Sequence, residues 1–231
     1  MNVEVLESGD SAAQRAAKLI AEEARKAIAE RAKFTLAVSG GRTPSLMFRA
    51  LTVEDVDWTK VHLFQVDERV AIEGHPDRNL THLHTSFLDH VPVKPQLYAM
   101  PVEQEDLERA AAEYAASLRH IAGSPVVLDL VHLGLGVDGH TASLVPGDAV
   151  LNITGRDVAI TDEYQHRRRM TLTYPMINRA RKILWVVTGE NKASALEGLM
   201  TGDASIPAGR IRRDDVVVIA DQDAAGRRKV A

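Results

Sequence analysis

The chain has 231 residues, 45% of them hydrophobic and 26% charged, the composition of an ordinary globular protein of about one large domain. Its 28 Lys and Arg against 32 Asp and Glu leave a net charge of −4, so there is no basic footprint for nucleic acid. The absence of cysteine excludes disulfides, thiol catalysis and Cys-ligated zinc, and suits a reducing compartment.

The opening "MNVEVLESGDSAAQRAAKLIAEEARKAIAE" reads as polar and helical from the start, with Ala, Leu and Ile recurring at helical spacing over 11–31. It carries no signal-peptide pattern, and no apolar run approaches the length of a membrane span, so a cytoplasmic protein is expected. Strands follow at 34–39 ("FTLAVS"), 61–68 ("VHLFQVDE"), 126–134 ("VVLDLVHLG"), 182–189 ("KILWVVTG") and 216–220 ("VVVIA"). Helical stretches near 46–51, 80–88, 107–121 and 192–200 alternate with them. Two weaker strands, "DVAIT" and "RRMTLT", read as an antiparallel addition. Strand and helix in alternation predict an α/β fold, a mostly parallel sheet covered by helices on both faces. The absence of repeats or long linkers predicts one domain over 1–231, with a short frayed tail at 226–231.

Four predicted strands end in unusual chemistry, and in an open parallel sheet those ends share one rim where ligands bind. The first is "SGGRTPSLMF" at 39–48. Gly40 and Gly41 let backbone N–H groups approach a ligand, Arg42 can grip phosphate oxygens, Thr43 is expected as a helix N-cap, and Pro44 suits the first helical turn. A tight strand-to-helix turn explains the two glycines alone; with Arg42 and Thr43 added, phosphate binding moves ahead. It is neither a Walker loop nor a Gly-x-Gly-x-x-Gly turn.

The second is "DER". Asp67, Glu68 and Arg69 form either an internal salt-bridge cluster or a sugar-hydroxyl or proton-transfer site. His82 and His84 in "THLHTSF" do not share a helix face, which argues against a metal site, and His62 and His132 lie inside strands. The third is "GLGVDGH" at 134–140. Histidine is the side chain that titrates near neutral pH unaided, and Asp138 lies near enough to orient the imidazole of His140 or to hold the loop by an Asx turn. Gly136 and its neighbouring glycines leave room for a substrate against backbone. A catalytic role for His140 is favoured over a packed structural histidine. Of the triple arginine 167–169, one member is expected to face the site. The fourth end, "TGENK", places Lys192 in a first helical turn, against the helix dipole; a solvated surface lysine explains this alone, and alongside the first loop a bound anion explains it equally well.

In order along the chain, "SGGRTP", "DER", "LGLGVDGHTASLVP", "RMTLT" and "GENKA" resemble the segments of 6-phosphogluconolactonases over nearly the whole length. The resemblance implies a Rossmann-like three-layer α/β/α sandwich, shared with glucosamine-6-phosphate isomerase/deaminases. It implies cofactor-free hydrolysis of 6-phospho-D-glucono-1,5-lactone in the oxidative pentose phosphate pathway. His140 would be the base; Gly40, Gly41, Arg42, Thr43, Arg69, Arg169 and Lys192 would hold the phosphate. Val145 stands where lactonases often have Phe. The deaminase branch carries an acidic residue after its Asp-Gly-His, whereas here "SLVP" offers no carboxylate; Asp67 matches the deaminase base and does not separate the two. A non-catalytic sugar-phosphate sensor stays open as an alternative, and nothing in the sequence sets the oligomeric state.

Overall fold

The computed structural model describes residues 1–226; residues 227–231, most of the expected tail, and the side chain of Arg42 lie outside the described residues. The chain runs through β1 (Asn2–Leu6), α1 (Gly9–Arg31), β2 (Phe34–Val38), α2 (Arg42–Leu51), β3 (Val61–Gln65), β4 (Asp67–Arg69), α3 (Asn79–Leu83) and β5 (Gln96–Tyr98). It continues through α4 (Leu107–Ala122), β6 (Leu130–Leu133), β7 (Val158–Ile160), β8 (Arg169–Leu172), α5 (Tyr174–Asn178), β9 (Lys182–Val187), α6 (Ala193–Thr201) and β10 (Val216–Asp221).

Seven strands form one sheet in the order β1-β10-β9-β6-β2-β3-β5, and every pairing in it is parallel. Side chains of a strand alternate between faces, so a sheet buried on both sides must be apolar at consecutive positions. Strand β9 does this: Ile183, Trp185 and Val187 enter one core while Leu184 and Val186 enter the other. The first core is closed by α4, α5 and α6 through Tyr114, Met176 and Leu199, the second by α1 and α2 through Ile20 and Met47. These are the three layers expected. Helix α1 lies close to the sheet because Ala12, Ala13, Ala16, Ala17, Ala24 and Ala27 make up much of its buried face.

The N-terminus departs from the expectation of helix from the start: Asn2–Leu6 is an edge strand paired with β10, from Asn2↔Val217 to Leu6↔Asp221. Its side chains are only half-buried, so the apolar signal of a strand is weak, and pairing with β10 decides its state. The single strand expected at 61–68 also divides. Gln65 ends β3, and Val66 bonds to both sides: its N–H donates to the Val38 carbonyl (3.0 Å) and its carbonyl accepts from Leu172 N–H (2.8 Å). The chain thereby leaves the main sheet and enters a second, antiparallel sheet of order β4-β8-β7. The weak segments "DVAIT" and "RRMTLT" supply β7 and β8 there.

From β2 the chain moves outward through β3 to β5, then returns to β6 on the other side of β2. This reversal leaves a crevice beyond the C-terminal ends of β2 and β6, the usual ligand position in open parallel sheets.

Candidate active site

A cavity of about 570 Å³ occupies that crevice. One wall is the turn after β2. The Gly40 backbone passes so close to Asn79 that a Cβ there would stand 2.1 Å from Asn79 Oδ1, and Gly41 adopts φ +119°. Only glycine suits both positions. Gly41, rather than the expected Thr43, occupies the N-cap of α2, so no side chain caps the helix and its first N–H groups are left for a ligand. The Thr43 hydroxyl is used elsewhere: it hydrogen-bonds the Thr188 hydroxyl at 2.7 Å, tying this turn to the one after β9.

The turn after β9 is held from below. Asp221, at the end of β10, accepts from Gly189 N–H (3.0 Å) and Ala224 N–H (2.8 Å). Lys192 closes a short 3-10 turn, Glu190–Lys192, that runs into α6, and it lines the cavity. Burial lowers its pKa from the usual lysine value, partly offset by the charge of Asp138.

The turn after β6 carries His140 and Asp138. His140 Nδ1 and Asp138 Oδ1 are 2.6 Å apart, and the same oxygen accepts from His140 N–H at 3.2 Å. Gly136 N–H donates to the His140 carbonyl (2.8 Å), folding the turn back on itself. A Cβ on Gly136 would lie 2.1 Å from His140 Nδ1; one on Gly139 would lie 2.5 Å from Ile206 Cβ. Gly136 therefore brings the backbone against His140 and Asp138, while Gly139 makes room for Ile206. Burial of Asp138 opposes its charge, but the His140 charge and the hydrogen bonds from His140 and Tyr164 outweigh it, and its pKa falls below the usual carboxylate value.

The second sheet supplies the remaining wall. On β4 and β8, Arg69 and Arg169 are register partners and both line the cavity. Arg169 is 3% exposed, and the Nε atoms of both arginines are buried without a partner. Burial and then the Arg69 charge lower the Arg169 pKa, with Asp67, Tyr164 and Asp138 acting in opposition. Of the triple arginine, Arg169 is the member that lines the cavity; Arg167 binds Asp77 at 2.8 Å and Arg168 is exposed. Asp67 is buried beside them, with Ser143 Oγ donating to Oδ2 (2.7 Å) and Asn79 Nδ2 to Oδ1 (3.2 Å). Glu68 of the same motif turns away, accepting from the N–H groups of Asn79 and Leu80 at the start of α3 and pairing with Arg78.

Gly40, Gly41, Thr43, Asp67, Arg69, Gly136, His140, Arg169 and Lys192 thus converge on one cavity, with Asp138 behind His140. Tyr164, Asn79 and Asp221 were missed. Asp221 stands one residue beyond the predicted strand 216–220, and a carboxylate at a fifth strand end was the available signal. Tyr164 gave none, since its contacts are all to residues distant in sequence or to its own turn. Among the described residues, no group of three or more His, Cys, Asp or Glu is arranged to hold a metal ion, and no helix is long and apolar enough to cross a membrane.

The sequence matches the profile of the family described as glucosamine-6-phosphate isomerases/6-phosphogluconolactonase over residues 7–219. It is 35% identical to a 6-phosphogluconolactonase of Synechocystis over 231 residues, covering 96% of each chain. Identity to a 6-phosphogluconolactonase of Mycobacterium tuberculosis is 33% over 241 residues, covering 98% of each chain. The fold superimposes on a crystal structure of a 6-phosphogluconolactonase from Shewanella baltica with a TM-score of 0.86 and 26% identity, over 96% of this chain and 97% of that one. Fold and sequence agree, and the chain belongs to the glucosamine-6-phosphate isomerase/6-phosphogluconolactonase family.

Proposed function

We propose that the protein is a cytoplasmic 6-phosphogluconolactonase, one catalytic domain over residues 1–231, that hydrolyses 6-phospho-D-glucono-1,5-lactone to 6-phosphogluconate in the pentose phosphate pathway. The observation that carries this reading is the His140–Asp138 pair, with His140 lining the same cavity as Arg69 and Arg169. The guanidinium groups of Arg69 and Arg169 hold the phosphate of the substrate, aided by Lys192 and the N–H groups of the Gly40–Gly41 turn. Arg42 is assigned to the same grip from the sequence.

In the mechanism, the Nδ1–H of His140 donates to Asp138, leaving the Nε2 lone pair as the base. Nε2 takes a proton from water as the water oxygen bonds to C1 of the lactone. The carbonyl becomes a tetrahedral oxyanion, and Asp138 stabilises the imidazolium. Collapse breaks the bond from C1 to the ring oxygen, which receives the proton from Nε2, and neutral His140 is restored. General-base assistance of this kind is worth about 10²–10⁴-fold. Holding the phosphate at a distance from C1 turns remote binding energy into orientation of the reacting carbon. The test is lactone hydrolysis with freshly made substrate in a coupled assay. A rate no greater than the spontaneous one sinks the reading.

A further inference from the structure

Tyr164 stands where the general-base pair and the arginine wall meet. Its hydroxyl donates to Asp138 Oδ2 at 3.1 Å, so both oxygens of Asp138 are engaged, one by His140 and one by Tyr164. Its ring meets the His140 ring edge-on, centroids 5.7 Å apart at 67°. The Arg169 guanidinium lies over the same ring, Cζ 4.9 Å from its centroid. One side chain thus touches base, orienting carboxylate and anion-binding arginine together.

The backbone that presents it is tightly specified. Tyr164 and Arg167 form a β-bridge across a two-residue turn, and both turn residues, Gln165 (φ 53°) and His166 (φ 63°), are in the left-handed region. Such a turn matches strand twist, but non-glycine residues there carry a cost that surrounding contacts must offset. Gln165 provides some of them, its Oε1 accepting from Arg169 (3.0 Å) and its Nε2 donating to the Tyr164 hydroxyl (3.4 Å).

We propose that Tyr164 is a positioning residue that locks Asp138, and through it His140, into the geometry set by Arg169 when an anion is bound. The inference rests on the lactonase reading. With both carboxylate oxygens held, Asp138 cannot rotate about its Cβ–Cγ bond without breaking a charge-assisted hydrogen bond. The ring position is in turn fixed by the guanidinium above it, a cation–π contact that strengthens as water leaves the site. Charged groups that act on this cluster are Asp138 and His140 from the β6 turn, Arg169 and Arg69 from the second sheet, Asp67 from β4, and Lys192 before α6.

The decisive comparison is wild type, Tyr164→Phe and Tyr164→Leu, each assayed for kcat, KM and the pH profile of kcat/KM, with 6-phosphogluconate binding measured by calorimetry. Phe keeps the ring over which Arg169 sits and loses only the hydroxyl. It is expected to lower kcat by about tenfold, the scale of one hydrogen bond to a charged group, with KM and product affinity within about twofold of wild type. Freed of one donor, Asp138 holds the imidazolium more strongly, so the acid limb of the profile moves to higher pH. Leu loses the ring as well, and KM and product Kd rise a further several-fold. An active wild type whose Phe variant keeps kcat and acid limb unchanged overturns the role of Tyr164, whatever happens to its melting temperature. Equal product affinity in the Phe and Leu variants overturns the link to Arg169. A wild type without turnover overturns the lactonase reading itself.

Discussion

Arg69 and Arg169 sit directly opposite each other on antiparallel strands β4 and β8, and both line the cavity. Like charges opposed across a ladder repel, and here one of the two is buried. The arrangement makes sense when a dianion lies between them and the chain. Replacing Arg169 with Met should therefore weaken binding of 6-phosphogluconate by about 10- to 150-fold, the worth of a hydrogen bond to a charged group. Thermal stability without phosphate should stay level or rise, because a buried repulsion is removed. Calorimetric titration and melting curves with and without phosphate check both halves. Wild-type affinity in Arg169→Met would move the anion site elsewhere.

For the base, His140→Ala should lower kcat by about 10²–10⁴-fold with KM and fold nearly intact. Gly136→Ala offers a sharper version without removing any reacting group. Its new methyl would stand 2.1 Å from His140 Nδ1 and 2.6 Å from Asp138 Oδ1, so the pair must shift from its place in the cavity wall. Displacement on the scale of an ångström costs on the order of 10²-fold. Steady-state kinetics on the folded Gly136→Ala protein decide it, and a kcat near wild type would show that the pair does not carry the chemistry.

Much of this was legible in the sequence, for a physical reason. Parallel strands buried on both faces are continuous apolar runs, so "KILWVV" and "VVVIA" stand out, and the rim they share follows from their being parallel. The loop glycines are legible because close approach and positive φ leave few substitutes, as Gly40 and Gly41 show. What was not legible lies in tertiary pairing. Asn2–Leu6 is a strand because β10 offers it an edge, and the apolar pattern runs through Val66 with no mark where the chain changes sheets. Thr43 reads as a cap until Thr188, 145 residues away, takes its hydroxyl. Tyr164 sits in a polar hairpin tip, where nothing local announces that three site residues meet its side chain.

A pH dependence of stability follows from His132, wholly buried in β6 beneath the Gly40 turn, where Nδ1 faces Ser39 N–H at 3.3 Å and Nε2 has no partner. Burial lowers its pKa to about 3, against an ordinary value of 6.5. The folded state therefore keeps it neutral between those values while the unfolded chain takes up a proton. Stability from this group is complete above about pH 6.5 and is lost as pH falls toward 3. Denaturant titrations at pH 7.5 and pH 5 should show a drop in wild type that is smaller in His132→Gln. An equal drop in both proteins would mean that other groups set the acid instability.

The last prediction separates hydrolysis from the isomerising and deaminating chemistry that the family also contains. Deamination of glucosamine 6-phosphate must open a pyranose ring and move a proton between neighbouring carbons. That needs a carbon-proton base and a relay to keep the histidine in the right protonation state. Asp67 lies in the cavity, but Ser143 and Asn79 each donate to one of its carboxylate oxygens, which holds its orientation and stabilises its charged form. After His140 the chain offers Ala142, Ser143, Leu144 and Val145, all buried and none able to carry a relay proton as a carboxylate does. Lactone hydrolysis asks for one water, one base and a leaving oxygen that stays tethered in the product. The protein should therefore release acid from 6-phosphogluconolactone well above background and release no ammonia from glucosamine 6-phosphate. Ser143→Ala removes one donor from Asp67 without touching His140, and it should leave lactone hydrolysis within about tenfold of wild type while still yielding no ammonia. Separate measurement of acid and ammonia for both proteins settles the matter. Ammonia at enzymatic rates from the wild type, with no lactone hydrolysis above background, reverses the assignment.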